Sequence, residues 1–142
     1  MSFDFAIVNN DLKRTSDGNV LTVTDTQKLR QDILKIIITT LGSNKFHPWY
    51  GCSVTDDVIG KNLPENMLKT EIQDSISTSI ENLQKLQTHQ LTTQKVSLAE
   101  LINFIGSIIA YRSPDDKREV KVDVSIYSRR LTEVNESFTI TP

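Results

Sequence analysis

The feature that most restricts the fold is a change of hydrophobic period late in the chain. Over 120–126, valine or isoleucine occupies every second position and polar residues occupy the positions between them. Alternation of this kind is typical of a strand with one buried face. A weaker alternation follows at Val134, Phe138 and Ile140. The sequence therefore predicts a C-terminal β-hairpin, one face of which is covered by other elements.

Helical spacing dominates the middle of the chain, where apolar residues recur three and four positions apart. A Thr24–Gln27 capping-box pattern precedes the first such stripe, and Gly42 follows it as the expected stop. A second capping box, Ser97–Glu100, precedes a later apolar run that contains Gly106, which suggests close packing. The polar segment 88–95 predicts a loop. The predicted helices cover 24–42, 55–60, about 64–87 and 98–111.

The first 24 residues predict extended structure, because Phe3, Phe5 and Ile7 alternate with polar residues and Ser16–Asn19 has the composition of a tight turn. With 142 residues, the chain predicts one domain spanning 1–142. The predicted fold is α+β. A small antiparallel sheet formed by the N- and C-terminal hairpins carries three main helices on one face.

Charge and composition exclude several classes of partner. The net charge of −2 provides no general attraction for nucleic acid or anionic lipid. A single cysteine, Cys52, fits a reducing compartment. The N-terminal residues predict no signal peptide, and the apolar cluster 33–38 is too short to span a membrane. We expect a protein made in a cytoplasm, with neither a nucleic-acid nor a membrane partner.

Candidates for catalysis or metal binding are weak. Cys52 and His47 are neighbours in sequence, but this spacing does not aim a thiolate at a base. They supply at most two metal ligands, and no second pair exists. The glycines are isolated, so no phosphate loop is predicted. The carboxylates that could serve sugar hydrolysis, which capping or solvation also explains, are Asp56, Asp57, Glu65 and Glu71. We expect no catalytic residue, metal or cofactor.

Surface features give the better candidates. Pro48, Trp49, Tyr50 and Gly51 form an aromatic corner that suits a protein interface, although a lid over the core explains it equally well. The strand that contains Val134, Phe138 and Ile140 lies at a predicted sheet end and could pair with another chain. A basic cluster is interleaved with acidic residues, which favours a solvated sheet edge over a nucleic-acid patch. Its members are Arg112, Lys117, Arg118, Arg129 and Arg130.

Several of these features occur in a fixed order between Asp11 and Val54. They are a DG turn, a glutamine early in the first helix (Gln27 or Gln31), a helix end at Leu41-Gly42, and the Pro-x-Tyr-Gly corner. Together they resemble the opening of the baseplate wedge proteins of contractile phage tails, a family of sheath initiators. Relatives of this family occur in type VI secretion and other contractile injection machines.

The resemblance implies a structural role in the virion, in a tail baseplate that is assembled in the host cytoplasm. Such a domain offers strands to the terminal arms of sheath subunits and docks onto other wedge proteins, in several copies per baseplate. The family's Glu-Pro-Arg triplet is absent here, and Arg118 is the candidate for its basic member. The alternatives are a type VI secretion component and a small lysozyme-like cell-wall hydrolase that uses carboxylates. Nothing in the residues themselves supports the hydrolase.

Overall fold

The computed structural model describes residues 2–141. Its elements in chain order are β1 (Asp4–Phe5), β2 (Ile7–Val8), β3 (Asp11–Leu12), β4 (Thr22–Val23), α1 (Asp25–Ile38), α2 (Val54–Val58), α3 (Glu65–Thr93), β5 (Ile102–Arg112), β6 (Val120–Ser128) and β7 (Glu133–Ile140). A single 3₁₀ turn, Leu98–Glu100, precedes β5. Residues 2–141 thus form three helices and small antiparallel sheets, and this mixed class agrees with the prediction.

The C-terminal sheet has the strand order β5-β6-β7, and both neighbouring pairs are antiparallel. Every second residue of β6, from Val120 to Ser128, is buried, which confirms the predicted alternation. These side chains join those of α1, α2 and α3 in one core. Leu29, Ile33 and Ile36 of α1 and Leu68, Ile72, Ile76 and Ile80 of α3 are among its most deeply buried members.

The predicted helix over 98–111 is wrong, because these residues form β5. The Ser97–Glu100 capping box does form, but it closes only one 3₁₀ turn. Two register shifts, at Ile102/Phe104 and Ile105/Ser107, interrupt the pairing of β5 with β6. The more buried residues of β5 therefore lie two or three positions apart, at Ile102, Ile105, Ile108 and Ala110. The two bulges thus give this isoleucine-rich strand a spacing of buried residues that resembles that of a helix.

The predicted sheet built from both terminal hairpins is also wrong. The N-terminal strands pair only among themselves, β1 with β4 and β2 with β3, and stand apart from the C-terminal sheet. The predicted turn does form, since Thr15 N donates to Asn19 O at 2.7 Å. We call residues 2–23 the N-terminal ribbon. Gln31 and Lys35 link it to α1: the Gln31 amide accepts from Ile7 N (3.0 Å) and donates to Phe5 O (2.8 Å), and Lys35 pairs with Asp4.

The ends of two helices and one cap differ from prediction. Helix α1 ends at Ile38, before Gly42, and Thr24 makes no side-chain cap. Gly42, with a φ of 82°, lies instead in a turn closed by Ser43 N and Thr40 O. Helix α3 continues through most of the predicted loop, to Thr93. Within residues 2–141 no helix is both long and apolar enough to cross a membrane.

Candidate interaction surfaces

The aromatic corner, which we define as Phe46–Cys52, is fixed where the chain returns to the end of α1. Cys52 N donates to Thr39 O at 2.8 Å, and Leu41 N donates to Cys52 O at 3.2 Å. Gly51 has a φ of 127°, and a Cβ there would lie 2.7 Å from Thr39 O and 2.9 Å from Leu41 N. Only glycine therefore allows this close return of the main chain.

The aromatic side chains of the corner divide between core and surface. Tyr50 is half-buried against the core, and burial, with the charges of Asp32 and Asp4, raises the pKa of its hydroxyl. Trp49 is 41% exposed, and its ring lies edge-on to His47 and Tyr50. Trp49 also borders two open grooves along α3, of about 440 and 360 Å³. The corner is therefore a lid at Tyr50 and an exposed aromatic ridge at Trp49.

Asp57 does not have the properties of a general acid, and Cys52 does not have those of a reactive thiol. The hydroxyls of Ser53 and Ser75 donate to Asp57 and hold its pKa below the ordinary 3.8, whereas a general acid needs a raised value. Asp56, Glu65 and Glu71 are exposed. Cys52 is buried, and burial raises the pKa of its thiol. Among residues 2–141, no three metal-binding side chains converge.

Strand β7 lies at one edge of the C-terminal sheet. Of the three residues predicted to bind a partner here, Val134 and Ile140 are buried in the core and Phe138 is half-buried against it. A partner would therefore contact the main chain of β7 more than these side chains. A groove of about 230 Å³ runs beside the strand, between Phe138–Thr141 and the ends of α1 and α2. Ile38, which lines it, is 64% exposed.

The hairpin bond from Ser128 N to Thr132 O (3.0 Å) fixes the direction of the peptide groups in β7. In an antiparallel pair these groups alternate between facing the neighbour and facing away. Asn135, Ser137 and Thr139 direct their N–H and C=O groups to the open edge, as does Glu133 at the start of the strand. Within residues 2–141, no side chain is hydrogen-bonded to the main chain of β7.

One ion pair stands at this open edge. Glu136, on the inner face of β7, accepts from Arg30 Nε of α1 at 2.6 Å. An inward-pointing charge on an edge strand discourages uncontrolled pairing with other chains. The main-chain groups of β7 are therefore open to a partner strand, while the charge of Glu136 discourages pairing with unrelated chains.

Arg118 lies in the turn between β5 and β6, at the end of the sheet opposite the hairpin that joins β6 to β7. It is exposed and pairs with Asp116, with Nε 3.2 Å from Oδ1. Ile140 borders the same groove as Arg118, so this position is next to the end of β7. The corner lies elsewhere, along α3. The predicted site residues therefore form two separate surfaces.

The sequence analysis did not predict the glutamines that connect α3 to β5. Gln87 is buried, donates to Glu100 O and accepts from Ile102 N, both at 2.9 Å. Gln73 and Gln84 donate to carbonyls of β5 at 3.1 Å. A signal was present for Gln87, because it falls four positions after Leu83 on the buried stripe of α3. Similarly, Gln31 and not Gln27 carries the contact near the start of α1, since Gln27 is exposed.

No protein-family model and no curated protein matches this chain. Among solved structures, it is similar to the crystal structure of a "putative tail lysozyme" from Geobacter sulfurreducens. The TM-score is 0.60, and the match covers 81% of this chain and 88% of that one. The two sequences are 14% identical, so the likeness shows a shared fold.

Proposed function

We propose that this chain is a structural component of a contractile tail baseplate, in which β7 pairs with strands from sheath subunits and so starts the sheath. The observation that carries the proposal is the open edge of β7, whose outward N–H and C=O groups at Asn135, Ser137 and Thr139 have no side-chain partners within residues 2–141. An added strand would satisfy these groups and gain apolar contact beside Ile38.

Two further observations support a role in a tail. The sequence from Asp11 to Val54 resembles the N-terminal part of the baseplate wedge proteins. The fold is similar to that of a protein whose name describes it as a tail lysozyme. The exposed ridge at Trp49 provides a second surface, suited to another wedge protein, since exposed tryptophan is enriched in interface hot spots. A type VI secretion baseplate would use the same surfaces in the same way.

A proline at position 137 is the most direct test. Because Ser137 N faces the open edge, Ser137→Pro removes a group that the isolated fold does not use, at little cost in stability. We expect sheath attachment to fall at least about tenfold, since an added strand loses a hydrogen bond and meets the proline ring. The readout is the number of sheathed baseplates in electron micrographs, made with the sheath subunit of the same genome.

Ser137→Ala is the matched control, because it removes the hydroxyl that donates to Asp123 but keeps the N–H. Normal attachment by a folded Ser137→Pro protein would contradict the proposal. Deleting residues 134–142 is a poorer test, since the core would lose Val134 and Ile140.

A second candidate function is cell-wall hydrolysis, which the name of the Geobacter protein favours. It predicts release of soluble fragments from purified peptidoglycan. It also predicts loss of that activity in Asp57→Asn, because Asp57 is the candidate carboxylate set beside hydroxyls under the corner. We infer that the chain is not an enzyme, and fragment release that depends on Asp57 would overturn this inference.

A further inference from the structure

A groove of about 380 Å³ opens where β7 ends, and its walls carry an excess of positive charge. The walls are the loop after α2, which includes Lys61, the turn between β5 and β6, and Ile140. Four cationic side chains line it, namely Lys61, Arg112, Lys117 and Arg118. We call this the basic groove. It contrasts with the chain as a whole, whose net charge is −2.

Three of the four cationic side chains form no ion pair among residues 2–141, although Asp115, Asp116 and Glu119 lie in the adjacent turn. Among residues 2–141, the ion pairs include Arg118 with Asp116 but none that involves Lys61, Arg112 or Lys117. Arg112 is half-buried and donates to two carbonyls, Lys117 O at 2.9 Å and Leu63 O at 2.8 Å. It therefore ties the two walls of the groove together and keeps its charge there. Lys61 and Lys117 are exposed and available to a ligand.

The basic groove continues the groove that runs beside β7. Ile59 and Ile140 line both of them, so a segment laid along the edge of β7 would pass from Ile38 and Phe138 into the basic groove. Along β7, a bound segment would meet main-chain groups and an apolar surface. At the C-terminal end of β7 it would meet positively charged side chains. An extended polypeptide with an apolar residue followed or preceded by a carboxylate matches this order.

We propose that the basic groove selects the partner of β7 by binding a glutamate or aspartate at one end of the added strand. This rests on the proposed pairing at β7 and adds to it the chemistry of the partner. A single carboxylate fits better than nucleic acid, because Asp115, Asp116 and Glu119 in the adjacent turn would repel a polyanion. Charged groups of this kind set partner choice and register more than total affinity.

The test uses the full chain, labelled with ¹⁵N, and two synthetic eight-residue peptides with alternating valine and threonine. One peptide ends in a single glutamate and the other in a single glutamine, and both termini are blocked. We expect both peptides to shift the amide resonances of Asn135, Ser137 and Thr139. The glutamate peptide should bind about fivefold more tightly, as two partly screened ion pairs predict.

The preference should disappear in Lys61→Glu/Lys117→Glu and at high salt. It should persist in Lys13→Glu/Lys95→Glu, a control that makes the same charge change at exposed lysines away from the groove. Equal binding of both peptides at β7, at low salt, would overturn the role of the basic groove while leaving strand pairing intact. If neither peptide shifts the β7 amides, both the pairing and the groove's role are contradicted. Binding of a short DNA duplex in preference to the glutamate peptide would contradict the choice of partner.

Discussion

The two edges of the C-terminal sheet are treated in opposite ways. Along β5, helix α3 supplies three glutamine side chains that hydrogen-bond to the strand or to the residues just before it. Along β7, no side chain of residues 2–141 is bonded to the main chain, and the contact that a helix makes with a polar side chain of the strand is the Arg30–Glu136 pair. Both strands face the same problem, because an unpaired edge invites other chains. Glutamines of α3 bond to part of the β5 edge, whereas the β7 edge has no such contacts among residues 2–141.

This difference indicates which edge is a structural boundary and which is a surface for assembly. Amide side chains can copy both the donor and the acceptor of a missing strand, so Gln87 satisfies a carbonyl and an N–H together. An ion pair guards an edge without filling its hydrogen bonds. The account therefore predicts that changes at β5 act on stability, whereas changes at β7 act on association.

The largest effect is expected for Gln87→Leu. The substitution leaves Glu100 O and Ile102 N without partners in a buried position, which costs about 3 kcal/mol of the free energy of unfolding. Urea unfolding measures the loss. Gln84→Ala is the comparison. Gln84 makes a single bond, to Asn103 O, and this bond is more exposed to solvent, so the substitution should cost about 0.5 kcal/mol. Equal losses in the two variants would show that burial does not determine the strength of the glutamine contacts along β5.

Gly106→Val should cost somewhat less, about 2 kcal/mol. Gly106 lies at the second bulge of β5, and a Cβ there would come within 2.8 Å of the ring of Tyr127 on β6. That ring also stacks on Phe104, with the centroids 4.9 Å apart. Thermal unfolding gives the cost, and Ser107→Val is the control. A Gly106→Val protein as stable as the wild type would show that the ring does not press on this strand.

The third prediction concerns self-association. Glu136→Val removes the inward charge from β7, so we expect the free chain to form dimers at about 100 μM by pairing of two such edges, while stability changes by less than about 1 kcal/mol. Sedimentation velocity measures the dimer. Glu133→Val, which adds the same side chain on the outer face of the same strand, should stay monomeric. Dimerisation of Glu133→Val but not of Glu136→Val would contradict the proposal that the charge of Glu136 prevents pairing of β7 edges.

The smallest effect is a dependence on pH. The glutamine contacts at β5 do not titrate, but Asp57 does, and its pKa is depressed because Ser53 and Ser75 donate to it. A carboxyl with a depressed pKa stabilises the folded state above its ordinary 3.8 and loses that contribution as the pH falls through the lower, folded value. Below pH 3.8, amides of Ser53 and of α2, which contains Asp57, should therefore broaden before those of β5. The reverse order in ¹⁵N spectra would contradict this assignment.

Much of the fold could be predicted from the sequence. The alternation of β6 and the stripe of α3 are long and regular, and each depends on only one buried face. The failure at β5 has a local cause, because two bulges broke its alternation and a real capping box stood before it. Pairing of strands far apart in the sequence was beyond reach, so the separation of the N-terminal ribbon from the C-terminal sheet appeared only in three dimensions.

The candidate site was predicted in part. Proline, tryptophan and glycine in the corner mark an unusual local shape, and β7 was expected to be an edge. The contrast with β5 could not be predicted, because the position of Gln87 on the buried stripe of α3 indicates burial but does not identify the strand that it contacts. The basic groove was hidden for a similar reason, since Lys61 and Lys117 are brought together only by the folded chain.

Hydrogen–deuterium exchange of the assembled baseplate and sheath tests the central claim most directly. In the free chain, the amides of Asn135, Ser137 and Thr139 should exchange rapidly, whereas those of Val134 and Phe138, which face β6, are protected. In the assembled particle we predict that all five are protected, because a strand from another subunit pairs with β7. Rapid exchange of Asn135, Ser137 and Thr139 in a fully sheathed particle would contradict the account.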